Sequence, residues 1–271
     1  MTFRSLGYAT DIAILQLGGS EVTDEGDALI VRSPHSPTFW WGNFLLLDRA
    51  PEHGSASAWV DRFHHAFPTS RHIAIGINET RADDDTLQGF RDLGLEVEYS
   101  TVMTTQAVTP PARINSAAIY RPLVSEDDWA QSVDVRCACN DMGLEPVSYR
   151  AYVSDKTASN RRLMAAGHGQ WFGAFVDGRL ACQMGLFRAG EGLARFQSVE
   201  THPDFRRQGL AANLVFTVSR FGLDELRAST LVMVADPDYF AIDLYRSVGF
   251  SDTETQFHIS RRPPEDVVSD S

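Results

Sequence analysis

A mixed α/β (α+β) protein of two domains is what this sequence predicts, on three observations. Stretches rich in strand formers alternate with stretches of helical periodicity. The order strand, helix, strand, helix, strand occurs once in each half. Between the halves, Met103 to Ser116 is polar and turn-rich around Pro110-Pro111, the composition of a domain boundary. With 271 residues, 43% of them hydrophobic, the chain can bury a sizeable core, and its length suits one large domain or two smaller ones.

In the first half, Thr10 to Leu17 ahead of Gly18-Gly19 reads as a short capped helix and Ala28 to Val31 as a strand. Phe39 to Leu47 is too apolar and aromatic for a surface loop and reads as a buried strand; Trp40 and Trp41 inside it suit core packing better than base stacking. Trp59, Val60, Phe63 and Phe67 recur at helical spacing. His64 and His65 on that helix point about 100° apart and lack the spacing of metal ligands. Strand His72–Ile77, a helix near Asp83–Leu93 and strand Leu95–Val102 follow. Asp83, Asp84 and Asp85 suit the positive end of the helix dipole rather than a metal.

The second half opens with strand Ala117–Tyr120, a helix from Ser125 to about Met142 and another near Ser154–Ala166. Trp171–Val176, Asp177-Gly178 and Arg179–Phe187 form a hairpin pattern, since Asp-Gly between two apolar runs favours a tight turn. Arg195–Thr201 is a strand that Pro203 stops, Leu210, Leu214, Val215 and Val218 mark a helix, and Leu231–Ala235 is a buried strand. Arg91-Asp-Leu-Gly94 then matches Arg246-Ser-Val-Gly249, and Ile73–Ile77 matches Leu231–Ala235, so the halves read as a divergent internal repeat.

A net charge of −12, from 24 Lys and Arg against 36 Asp and Glu, disfavours broad electrostatic binding to nucleic acid or an anionic membrane. No stretch approaches the ~18 apolar residues of a membrane span, so a cytoplasmic protein is expected. Cys137, Cys139 and Cys182 lack the partners of a zinc site, and no metal is expected.

Within this acidic chain, the basic loop Arg206-Arg207-Gln208-Gly209-Leu210-Ala211 sits between strand and helix. Gly209 lets a ligand approach the backbone where free amides and the helix dipole favour an anion, and a pyrophosphate suits it. Arg206-x-x-Gly209-x-Ala211 after Val-x-Thr-His-Pro resembles the coenzyme A loop of the GNAT superfamily of N-acetyltransferases. Leu244-Tyr245-Arg-Ser-Val-Gly249-Phe250 is similar to a second element of that family, in the expected order.

The resemblance covers roughly residues 117–260 and implies tandem GNAT-like domains, each a mixed, mostly antiparallel sheet flanked by helices. The domains expected are 1–112, degenerate and without a coenzyme loop; 113–262, an acetyltransferase; and a disordered tail at 263–271. The first copy lacks Arg-x-x-Gly-x-Ala, having Asp48-Arg-Ala-Pro-Glu-His-Gly54 after Leu47, and has Phe90 near the place of Tyr245. By resemblance, acetyl-CoA is the co-substrate. Arg206, Arg207, Gln208, Gly209, Leu210 and Ala211 hold it, with the backbone of Val199 and Thr201 along the pantetheine and thioester, and Tyr245 protonates the departing sulfur.

The base is open between Glu200, His202 and a water chain; Glu200 is carried forward as the candidate, with pairing to Arg206 or contact with a substrate ammonium as its alternatives. Asp238-Tyr239 stands where many relatives carry Asn near the start of this helix, a departure from the family pattern at a pantetheine contact. The function expected is acetyl transfer to a primary amine of a small molecule or peptide; the alternative is a non-catalytic coenzyme-binding regulator on the same fold. The acceptor and the oligomeric state are not legible.

Overall fold

Residues 1–263, except Thr38, Asp83, Asp141, Met142, Tyr239 and Phe240, are described by the computed structural model. The expected disordered tail therefore lies, but for Pro263, outside the described residues. In chain order the elements are α1 (Leu6–Leu17), β1 (Glu21–Asp24), β2 (Ala28–Arg32), β3 (Phe44–Leu47), α2 (Ala56–Ala66), β4 (Ile73–Ile77), α3 (Asp84–Asp92) and β5 (Glu96–Thr105). After them come β6 (Ala118–Pro122), α4 (Glu126–Ala138), α5 (Pro146–Ala165), β7 (Gly169–Val176), β8 (Arg179–Arg188) and β9 (Leu193–Thr201). The chain ends with α6 (Leu210–Asp224), β10 (Thr230–Ala235), α7 (Ala241–Val248) and β11 (Ser251–Arg261).

Contacts divide the chain into two units: residues 1–102 together with the stretch from Glu254 onward, and Met103–Thr253. The sequence reading cut the chain at 112 and kept the last strand with the second half. In the first unit the sheet order is β1-β2-β3-β4-β11-β5. The β3/β4 pair is parallel, while β1/β2, β2/β3 and β4/β11 are antiparallel. Phe257 and Ile259 on β11 join Phe63, Phe90 and Ile75 in the core. Those two apolar side chains, spaced to the same face, explain why so late a strand belongs here.

In the second unit the order is β10-β9-β8-β7-β6, antiparallel except for the parallel β9/β10 pair. A hairpin joins β7 to β8 through Asp177 and Gly178, both at positive φ as the sequence reading requires. Ser125 caps α4: its hydroxyl accepts the Asp128 N–H while Asp128 accepts the Ser125 N–H, a capping box. Asp128 also holds Arg121 at 2.7 and 2.8 Å.

The repeat is visible atom by atom. In both units the strand followed by a crossover helix pairs in parallel with the next strand. Gly94 and Gly249 both take positive φ at the end of the following helix. Gly94 N–H donates to Arg91 and Leu95 N–H to Phe90; Gly249 N–H donates to Arg246 and Phe250 N–H to Tyr245. Phe90 thus stands where the second unit has Tyr245.

Some expectations need correction. Phe39–Leu47 is not one strand: a short 3-10 turn at Trp40–Gly42 precedes β3. Asn43 holds that turn, its amide donating to the Ser36 and Phe39 carbonyls at 2.9 Å each while its oxygen accepts the Ser33 N–H. Helix α5 starts at Pro146, well before Ser154, because Pro fits the first helical turn and Glu145 caps the Val147 and Ser148 amides. The alternating segment after Gly249 forms β11, which the sequence reading passed over.

Candidate active site

The loop from His202 to Gly209 starts with a 3-10 turn at Pro203–Phe205, capped by the His202 ring, whose Nδ1 accepts the Asp204 N–H at 3.2 Å. His202 is thus occupied as a turn residue. Arg207 and Gly209 both take positive φ, at 63° and 77°, and Gly209 is the N-cap of α6 without offering a side-chain cap. A Cβ placed on Gly209 would meet nothing within 4 Å, so space lies open over this helix start. Asn213 braces it, its amide donating to the Gly209 and Arg113 carbonyls at 3.0 Å each. Leu210 and Ala211 form the first turn behind Gly209, with Leu210 buried in the core. An uncapped helix N-terminus flanked by Arg206 and Arg207 suits a phosphate.

Upstream, β9 leaves its parallel neighbour. Only Leu193, Ala194 and Arg195 pair with β10, opposite Thr230, Leu231 and Val232. Beyond them β9 continues to Thr201 and β10 to Ala235 with no ladder between them. On its other edge β9 bulges: Gln183 faces Glu200 and Gly185 faces Gln197, with Ser198 at φ 48° between. The bulge sharpens the local twist and lets β9 turn away from β10. Val199 and Thr201 lie on this parted segment, where backbone groups can meet a ligand.

Tyr245 is 6% exposed and lies in the core of the second unit on the same face as Ala241 and Val248. Asp238 lies ahead of α7, while Tyr239 lies outside the described residues.

Glu200 does not pair with Arg206. Its Oε1 lies 3.5 Å from Nε of Arg136 on α4, and its Oε2 accepts the Gln183 amide at 3.0 Å. Arg206 instead donates from Nε to the Thr201 carbonyl. Gln183 is fully buried and fixed from both ends: its oxygen accepts Ser132 Oγ–H at 2.5 Å and Trp171 Nε1–H at 3.0 Å, while its amide also donates to the Ser132 carbonyl. Burial pushes the Glu200 carboxyl above its ordinary value, against the opposing pull of Arg136 and Gln183. Tyr149 and Tyr152 of α5 stack beside Arg136, and burial raises both phenols.

The sequence reading missed Arg136, Gln183 and the tyrosine pair. Gln183 had a signal, as a lone polar residue inside the apolar run of β8, which requires partners. Arg136 follows Trp129 and Ser132 at helical spacing, a charge on the buried side of α4.

Comparison with known proteins fits this geometry. Residues 139–259 match the family model described as an acetyltransferase (GNAT) domain. Over those residues the chain is similar to a GNAT acetyltransferase domain. Its fold is similar to a functionally unknown conserved protein from Staphylococcus epidermidis ATCC 12228, at 16% identity over 89% of this chain and 93% of that one, with a TM-score of 0.69. A GCN5-related N-acetyltransferase from Kribbella flavida shares 14% identity over 94% and 96%, with a TM-score of 0.62. A tandem GNAT protein from the clavulanic acid biosynthesis pathway shares 11% over 94% and 95%, with a TM-score of 0.57. No curated protein matches the sequence. The fold of the whole chain is thus similar to that of a protein with tandem GNAT domains.

Among the described residues, no helix is long and apolar enough to cross a membrane, and no cluster of His, Cys, Asp or Glu suits a metal ion.

Proposed function

We propose that the protein transfers the acetyl group of acetyl-CoA to a primary amine by direct attack. The observation that carries this reading is the parting of β9 from β10 beside the uncapped, glycine-started helix α6. Residues 206–211 would hold the pyrophosphate, with Val199 and Thr201 along the parted strand. Acetyl-CoA supplies an activated acyl thioester. Glu200, held by Gln183 and Arg136, takes a proton from the attacking amine; a carboxyl raised by burial is a better base near neutrality than an exposed one. The amine nitrogen bonds to the acyl carbon as the carbon–sulfur bond breaks, and Tyr245 returns a proton to the sulfur. A phenol of pKa ~10 can protonate a thiolate of pKa ~8.5.

Screening an amine library for thiol release from acetyl-CoA tests the reading. Acetylated product from at least one amine is expected. Tight coenzyme binding with no turnover across the library would instead make the chain a coenzyme-binding regulator.

A further inference from the structure

Glu200 is the carboxylate on the parted strand β9, and it already faces a cation. Arg136 and Glu200 are 14% and 17% exposed at their side chains, so the pair is largely buried but not sealed from solvent. The pair is also incomplete. The guanidinium has a side-chain hydrogen bond with Tyr149, but Arg136 Nε is buried without a hydrogen-bond partner among the described residues, and its contact with Oε1 is an ion pair longer than a good hydrogen bond. Gln183 cannot swing to help, because all its polar positions are engaged. The acidic neighbours on α4 are taken elsewhere: Asp134 pairs with Arg150, and Glu126 with Arg161.

An acceptor amine entering here gains attraction from Glu200 and meets repulsion of the same order from Arg136. A polyamine or other bare cation would meet Arg136 with no anion of its own to offset the repulsion. An amine that brings its own anionic group cancels the repulsion, placing its nitrogen at Glu200 and its anion at the guanidinium, whose planar fork suits a carboxylate.

On the acetyl-transfer reading above, we propose that the acceptor is an amine bearing a carboxylate close to its nitrogen, as in an α-amino acid, and that Arg136 is the residue that selects it. The ammonium of such an acceptor first gives one proton to solvent; its nitrogen then forms the amide bond as the thioester carbon–sulfur bond breaks, its next proton goes to Glu200, and the sulfur, protonated by Tyr245, leaves as coenzyme A thiol. Arg136 takes no part in bond making.

The test uses the full chain with acetyl-CoA, comparing the protein amino acids with their carboxamides and with spermidine. At least one amino acid should exceed its carboxamide in kcat/KM tenfold or more. Arg136→Gln should bring that ratio close to one by raising the acceptor KM, with acetyl-CoA affinity unchanged by calorimetry, and Arg136→Lys should recover part of it. Binding of the preferred amino acid to the protein saturated with coenzyme A, also read by calorimetry, should weaken at least tenfold in Arg136→Gln. Equal or better turnover of carboxamides or spermidine by the wild type overturns the inference and leaves the transferase reading standing. An unchanged ratio in a folded Arg136→Gln overturns it as well. Absence of turnover with every amine, while acetyl-CoA binds, overturns both.

Discussion

The junction between β3 and α2 and the junction between β9 and α6 occupy the same place in the repeat, and their loops, residues 48–55 and 202–209, have the same length. Each has a glycine at positive φ with open space where a Cβ would go, Gly54 in the first and Gly209 in the second. What differs is the strand pairing beside them. In the first unit β3 and β4 stay paired to their ends, Leu47 opposite Ile77, and Asn78 N–H donates to Leu47 beyond. Tyr8 is packed against Gly76 there, its hydroxyl 2.4 Å from where a Cβ would stand.

Charge differs too. The cleft of about 610 Å³ at the first junction is lined by Asp27, Asp48 and Glu52, with Arg62 held by Asp27 and Glu25 and Arg49 near Glu79 and Asp48. The second junction carries Arg206 and Arg207. A glycine ahead of a helix therefore makes room for a phosphate, but a parted pair of strands and basic flanks are what separate the two junctions.

The sharpest test of that contrast is a matched pair of substitutions. Gly209→Glu adds bulk, strain at positive φ and a negative charge, and should weaken acetyl-CoA binding by more than about 100-fold in calorimetry. Gly54→Glu should leave that affinity unchanged. Equal losses in both would put coenzyme at both junctions and break the comparison.

Glu200→Gln should lower kcat by roughly 10²- to 10⁴-fold, the range for removing a general base. In the wild type, kcat/KM for the acceptor should rise with pH as Glu200 loses its proton, along a limb displaced upward from the ordinary carboxylate pKa of ~4.3. A limb that survives in Glu200→Gln would assign the base elsewhere.

Tyr245→Phe gives the second unit the side chain that the first has at Phe90. A fall in kcat on the order of 10²-fold, with acetyl-CoA affinity nearly unchanged, is expected from steady-state kinetics and calorimetry. Wild-type kcat in this variant would make Tyr245 a packing residue.

The smallest effect concerns stability. Gly76→Ala forces a methyl against Tyr8 and should cost about 1–3 kcal/mol, visible as a lower Tm. Gly209→Ala meets no atom and should cost about 1 kcal/mol, from its positive φ alone. A larger loss for Gly209→Ala would mean that its open space is an illusion of a loop packed in solution.

Much of this was legible in the sequence where a local rule governs. Asp177-Gly178 makes the hairpin, Ser125 and Asp128 make the capping box, and Arg-x-x-Gly closes α3 and α7 alike, because turn and cap chemistry acts within a few residues. The loop at 206–211 was legible for the same reason. Arg136 was not, because its partner Glu200 lies far along the chain, and only packing of α4 on β8 and β9 brings them together. The parting of β9 from β10 depends on the Ser198 bulge, and serine at positive φ leaves no mark in composition.

The last strand carries a consequence for the order of events at synthesis. Phe257 and Ile259 of β11 fill the core of the first unit, so that unit lacks part of its interior until β11 has been made. Residues 1–102 must wait for β11, whereas Met103–Thr253 has all its own residues earlier. A ribosome stalled near Thr253 would thus present an amino-terminal unit with an unfilled strand position, open to chaperones and proteases, ahead of a second unit already complete in sequence.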